Sequence, residues 1–385
     1  MWPFSSKNQT SVILIDIGSS SVGAGFALYA PGATPSMYYS VRLPIEPRPN
    51  EDIDIAMLRT LEAVHGYVLK EGAPTMKREV GSAHVDNILV SVAAPWQNTT
   101  VKTHTIAPGK KFTFTKSMLS DIVSGTLIPK DSVSSGESVI ATILNGYETS
   151  DPFDKEVTRA DLVILSSSLK RTVTEAIKES VRGAYHTSAI IFTAFAPVAY
   201  AILRDLYPHE RDFLILDVTG EATDLVFVRS GLILQVETLP QGINVLLNSG
   251  RRAGILSVGE EVILERAASK QPGYIQPGRN VRFGVRALGA EKDWLENISS
   301  LLKKIAVKHA LPRTLFLLSD FEVREYLKRT LDSSTLHTLW LSDSPLGIIP
   351  LTASQFSTHV AVKALAQGDV FLGILVLYYK KQHVL

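Results

Sequence analysis

The chain of 385 residues contains no cysteine. Disulfides, thiolate metal sites and a cysteine nucleophile are thereby excluded, and the composition suits a reducing compartment. Neither sign of charge is in excess: Lys+Arg 39 against Asp+Glu 38 leaves a net charge of +1, so the bulk attraction that drives nucleic-acid binding is missing. Long hydrophobic runs are absent too. Met1–Thr10 lacks the apolar centre of a secretory signal, and Val370–Tyr379 is about half the length of a bilayer span. These features predict a cytoplasmic chain whose last apolar run is a buried helix. No G-x-S-x-G elbow, H-E-x-x-H pair or G-x-x-x-x-G-K-[ST] loop occurs, and the nine histidines are scattered. The common hydrolase, zinc-peptidase and P-loop chemistries find no support.

What is present is a core-forming composition, 45% apolar and 20% charged, over a length that calls for two lobes. The organising stretch is Phe213–Val228, FLILDVTGEATDLVFV. Its two unbroken apolar runs suit strands buried on both faces, and the small polar residues between them form a turn. A similar unit stands near the start, where Val12–Ile15 is the strand, Asp16 ends it, Gly18, Ser19, Ser20 and Ser21 turn, and Val22–Tyr29 returns. One such hairpin is equally a plain structural turn. Two, far apart in one chain, point to related subdomains facing each other. Backbone amides and hydroxyls of both turns could then donate to a phosphate tail, with Asp16 and Asp217 holding a hydrated Mg²⁺.

DIGSSSVG at Asp16–Gly23 resembles the first phosphate motif of the actin-like ATPase superfamily, and DVTGEATD at Asp217–Asp224 resembles the second. Ala199-Tyr200-Ala201 before the second motif and ETLPQGIN at Glu237–Asn244 after it are similar to the FtsA and PilM branch. The resemblance implies an α/β, two-lobed actin-like fold with duplicated sheet-and-helix subdomains and an inserted 1C-like (SHS2) subdomain that mediates protein contacts. By this plan residues 1–83 and 158–208 form the first lobe, with 84–157 inserted. Residues 209–250 and 294–350 form the second lobe, 251–293 a 2B-like insertion, and 351–385 closes the first lobe.

For the ligand the resemblance implies ATP with Mg²⁺, bound by Asp16, Gly18, Ser19, Ser20, Asp217, Gly220, Thr223 and Asp224, with Asp16 and Asp217 on the metal. Several positions depart from the pattern. Thr219 and Glu221 replace glycines of the second motif, the adenosine turn is Ser319-Asp320-Phe321 without glycine, and Ala194 stands where an acid would orient the attacking water. These departures predict weak or lost ATP binding, negligible hydrolysis and no catalytic residue. Functionally the resemblance implies an FtsA-like scaffold or adaptor of cell division at the inner face of the membrane. The alternatives are a PilM-like adaptor of type IV pilus assembly, which holds a peptide of a membrane protein, and an active ATPase. FtsA has a membrane-targeting tail that does not follow Tyr379 here, so membrane association would be indirect, with self-association or filament formation open.

Finer expectations complete the reading. Pro31–Asn50, with five prolines, reads as a loop, Ile55–Lys70 as an amphipathic helix, and Asp161–Leu165 as a strand rejoining the main sheet. A helix is expected at Glu260–Ala268. Trp2 and Phe4 are candidate membrane or partner contacts, with packing on the first strand the alternative, and Trp96 is a candidate contact of the insertion, with a place in its core the alternative.

Overall fold

Every side chain from Val12 to Ile15 is buried, because the strand that carries them has helices on both faces. Successive strand residues point to opposite sides. Val12 and Leu14 therefore join one core cluster while Ile13, Ile15 and Ile17 join another. The computed structural model describes residues 9–125, 129–246, 262–263, 282–283, 287–340, 346–364, 366 and 368–384. Trp2 and Phe4 lie outside them.

In chain order the first lobe begins with β1 (Thr10–Ile17), β2 (Ser21–Tyr29) and β3 (Ser36–Pro44), then α1 (Ile53–Tyr67), a π-helical turn, α2 (Ala73–Val80) and β4 (Asn87–Val92). The inserted unit contributes β5 (Gln97–Ile106), β6 (Phe112–Thr113), α3 (Lys116–Ser124), β7 (Ser132–Leu144), β8 (Tyr147–Glu148), β9 (Glu156–Val157) and β10 (Ala160–Lys170). The first lobe resumes with α4 (Arg171–Tyr185), β11 (Ile190–Ala194) and α5 (Phe195–Leu206). The second lobe has β12 (Phe213–Val218), β13 (Thr223–Arg229), β14 (Leu232–Leu239), the short pair β15 (Val262–Ile263) and β16 (Arg282–Phe283), α6 (Ala287–Ala306), β17 (Thr314–Ser319), α7 (Phe321–Ser333) and β18 (Gly347–Pro350). The chain returns to the first lobe as β19 (Ala361–Val362) and α8 (Val370–His383).

The duplication is explicit in the strand order. The first lobe's sheet runs β11-β4-β1-β2-β3-β19, and the second lobe's runs β18-β17-β12-β13-β14, the same sequence of parallel and antiparallel neighbours. Helices α1 and α4 cover the outer face of the first sheet through Met57, Leu61, Val64, Val173, Ile177 and Val181. Helices α5 and α8 fill the space between the sheets, where Phe195 and Leu372 share a cluster with Phe213 and Ile215. That shared core is what brings the ends of β1 and β12 together.

Pro31–Asn50 contains a strand, β3, because Pro35 and Pro44 flank it rather than interrupt it. The inserted sheet is β5-β10-β7-β8, so β10 does not rejoin the main sheet, while β4 lies in the main sheet between β11 and β1. The separate sheet is built from strands within residues 97–170, whereas the insertion was expected at 84–157. Trp96 is 2% exposed, packs in the first lobe's core and donates from Nε1 to Asp54 at 2.6 Å; it is a core residue, not a surface contact. Of the helix expected at 260–268, Val262–Ile263 is a strand and the remainder lies outside the described residues.

Candidate functional site

Register places three residues in one row across the first sheet: Asp16 is opposite Gly23, and Gly23 is opposite Arg42. Because Gly23 has no side chain, the long arm of Arg42 lies over it; an ideal Cβ at position 23 would stand 2.6 Å from Nη2. Arg42 thereby reaches Asp16, donating from Nη2 to Oδ2 at 2.9 Å. Its Nε donates to Asp369 Oδ2 at 2.6 Å and its Nη1 to Ser21 Oγ at 2.9 Å. The guanidinium also stacks over Phe371, 4.7 Å from the ring centroid. Asp369 is the residue that caps α8, accepting from the amide of Leu372 at 3.0 Å.

The second lobe is joined to this network. Ser21 Oγ donates to Asp320 Oδ1 at 2.8 Å, and Asp320 stands at the N-cap of α7. The two hairpin turns also interlock. Ser19 Oγ and Thr219 Oγ1 are 2.9 Å apart, and the amide of Glu221 donates to Ser19 Oγ at 2.8 Å. Glu221 itself is held by Asn244, whose Nδ2 donates to Oε1 at 2.8 Å. Gly220 faces the Ser19 carbonyl so closely that a Cβ would sit 2.3 Å from its oxygen. Its lack of a side chain serves lobe-to-lobe contact.

Of the residues expected at the site, Asp16, Gly18, Ser20 and Asp217 line one interlobe cavity, together with Arg42 and Asp320. Thr223 and Asp224 do not. Thr223 donates to the carbonyl of Gln241 at 2.7 Å and accepts from Trp294 Nε1 at 3.1 Å. Asp224 accepts from Thr238 at 2.5 Å and from Gln97 of β5 at 2.6 Å, tying the inserted unit to the second lobe. Burial raises Asp224 to about 6, against the opposing effect of those two bonds. Ala194 is buried at the end of β11.

A hydrated Mg²⁺ with a phosphate tail does not fit this arrangement. The cavity measures about 10 Å³, room for one water. Among the described residues no group of three His, Asp or Glu side chains could hold a metal ion. Of the two carboxylates expected on the metal, Asp16 and Asp217, Asp16 already has a cation in Arg42. Arg42 is the residue that sequence reasoning missed. The signal for it was the register: a strand at 36–44 would have put an arginine in the row of Asp16, but the prolines hid the strand.

The carboxyls here are strained by burial. Asp16 is raised to about 6, first by burial, with Arg42 pulling the other way. Asp217 is raised well above its ordinary 3.8 by burial and then by Asp224, Asp16 and Asp320, and its Oδ1 has no hydrogen-bond partner among the described residues. A carboxyl raised on folding contributes its full stability below about 3.8, the unfolded value, and loses it as pH rises through the folded value. Asp217→Asn should therefore stabilise the chain near pH 7 by about 1–3 kcal/mol and have little effect near pH 3. Denaturant unfolding at both pH values measures this. A loss of stability at neutral pH would mean that the carboxylate is required.

No family model matches the chain, and no curated protein matches it. Among solved structures, it is similar to one of a PilM–PilN type IV pilus biogenesis complex, at 14% identity and a TM-score of 0.55, with 96% of this chain and 98% of that one covered. It is also similar to a Bacteroides thetaiotaomicron protein of actin-like ATPase fold and unknown function, at 8% identity and a TM-score of 0.43, with 98% and 99% covered. Together with the repeated strand order, the first likeness establishes the actin-like ATPase fold.

Proposed function

We propose that the chain is a non-enzymatic adaptor of the actin-like fold that works through its surface, holding a cytoplasmic segment of a membrane protein in the manner of a PilM–PilN pair. The observation that carries this is the closed interlobe site: the turns that would cradle phosphates bond to each other, and the remaining cavity has room for one water. The likeness to a PilM–PilN complex over nearly the whole of both chains favours the pilus-type reading over the division scaffold. No helix among the described residues is long and apolar enough to cross a membrane, and in this reading the partner supplies the membrane attachment. The inserted unit at 97–170, with its own small core around Phe114, Leu162 and Ile164, is the surface assigned to that partner.

Affinity purification of the full chain, followed by hydrogen exchange with and without the captured membrane protein, tests this reading. Protection from exchange should fall within residues 97–170. Protection confined to the two hairpin turns, or saturable ATP turnover by the purified chain, would sink it.

A further inference from the structure

The resemblance of the two turn motifs implies a metal–phosphate ligand at the junction of the lobes, yet Asp16, one of the two carboxylates expected on the metal, is bonded to a side chain of this same protein. We infer that the guanidinium of Arg42 is a resident cation that takes the place of an exchangeable metal–nucleotide, so that the lobes are held closed without any ligand. All three nitrogens of the group are committed, to Asp16, Asp369 and Ser21. Asp16 and Asp369 belong to the first lobe, and Ser21 passes the connection to Asp320 of the second. Burial works against the arginine's charge, but Asp369 and then Asp16 more than offset it, so the charge is permanent. An ion bound from solution can leave, and a phosphate can be hydrolysed; a charge on a covalent arm can do neither. The closed arrangement is thereby uncoupled from nucleotide state. This inference stands apart from the partner assignment, since a closed molecule could serve any partner.

The test is thermal melting and small-angle X-ray scattering of the full chain in EDTA, in Mg²⁺, and in Mg²⁺ with ATP or ADP. The expected result is one melting temperature and one radius of gyration in all four. Arg42→Ala leaves Asp16 without a cation, while Arg324 of α7 remains beside Asp320 and Asp369. That variant should melt lower and recover part of the loss in millimolar Mg²⁺, but not in Na⁺ at equal ionic strength. Arg42→Lys, which keeps a positive charge, should stay indifferent to Mg²⁺. A saturable rise in the wild-type melting temperature with Mg²⁺ and ATP over Mg²⁺ alone, or compaction on adding nucleotide, would overturn the inference. So would an Arg42→Ala variant that ignores Mg²⁺. If Arg42→Ala does not fold, the wild-type and Arg42→Lys measurements decide the matter.

Discussion

Arg42→Met will destabilise the fold by about 3–5 kcal/mol at neutral pH, the usual cost of removing one partner from a buried ion pair. Methionine fills much of the arm's volume, so the loss comes from charge. Asp16, 2% exposed, would lose its cation beside Asp369, which keeps the more distant charge of Arg324. The deficit should depend on pH with a definite sign. Asp16 is already raised to about 6 with the arginine in place, and removing Arg42 takes away the main influence that lowers it. The folded variant therefore escapes the repulsion by protonating Asp16 as pH falls, and its deficit should shrink from about pH 8 toward about pH 6, below which Asp16 is protonated with or without the arginine. Urea unfolding across that range measures it. A deficit that does not change with pH would assign Arg42 a packing role, and one under about 1 kcal/mol would place it among surface ion pairs.

Gly220→Ala is expected to part the lobes. The new Cβ would lie 2.3 Å from the carbonyl oxygen and 2.6 Å from the carbonyl carbon of Ser19, and backbone atoms cannot rotate away. Overpacking of this kind costs about 1–3 kcal/mol. If the turns separate, the Ser19–Thr219 and Glu221–Ser19 hydrogen bonds go as well, at about 0.5–1.5 kcal/mol each. Faster hydrogen exchange at residues 217–224 and a larger radius of gyration are the expected readouts. Were Gly220 reserved for a phosphate, alanine there would leave the ligand-free chain as stable as before. The same substitution thus separates a turn built for contact from a turn built for a ligand.

The two lobes were legible because their central strands are apolar without interruption. Runs such as Phe213–Leu216 and Val12–Ile15 admit few readings other than buried strands, and Asp217 and Asp16 end each at the same point of the duplicated sheet. The departures from the motif were visible too. Thr219, Glu221 and Asp320 stood out as residues a nucleotide would not welcome. What each does instead was not visible, since Ser19 and Thr219 are 200 residues apart in sequence and Ser21 and Asp320 are 299 apart. Contacts of that kind follow from lobe closure, and no local pattern encodes them. Arg42 failed to register for a different reason. Proline counting averages over a window, and here it masked a nine-residue strand whose ends, not middle, the prolines mark.

The row Asp16–Gly23–Arg42 also links positions in descent. With arginine at 42, any side chain at 23 would collide with the guanidinium or push it off Asp16. With a smaller or uncharged residue at 42, the constraint at 23 lapses and Asp16 regains a free carboxylate. A lineage could pass from one condition to the other only by changing the pair in order, arginine before side chain. The two positions should therefore vary together among related sequences, and that covariation would mark which of them gave up an exchangeable ligand for a charge of their own.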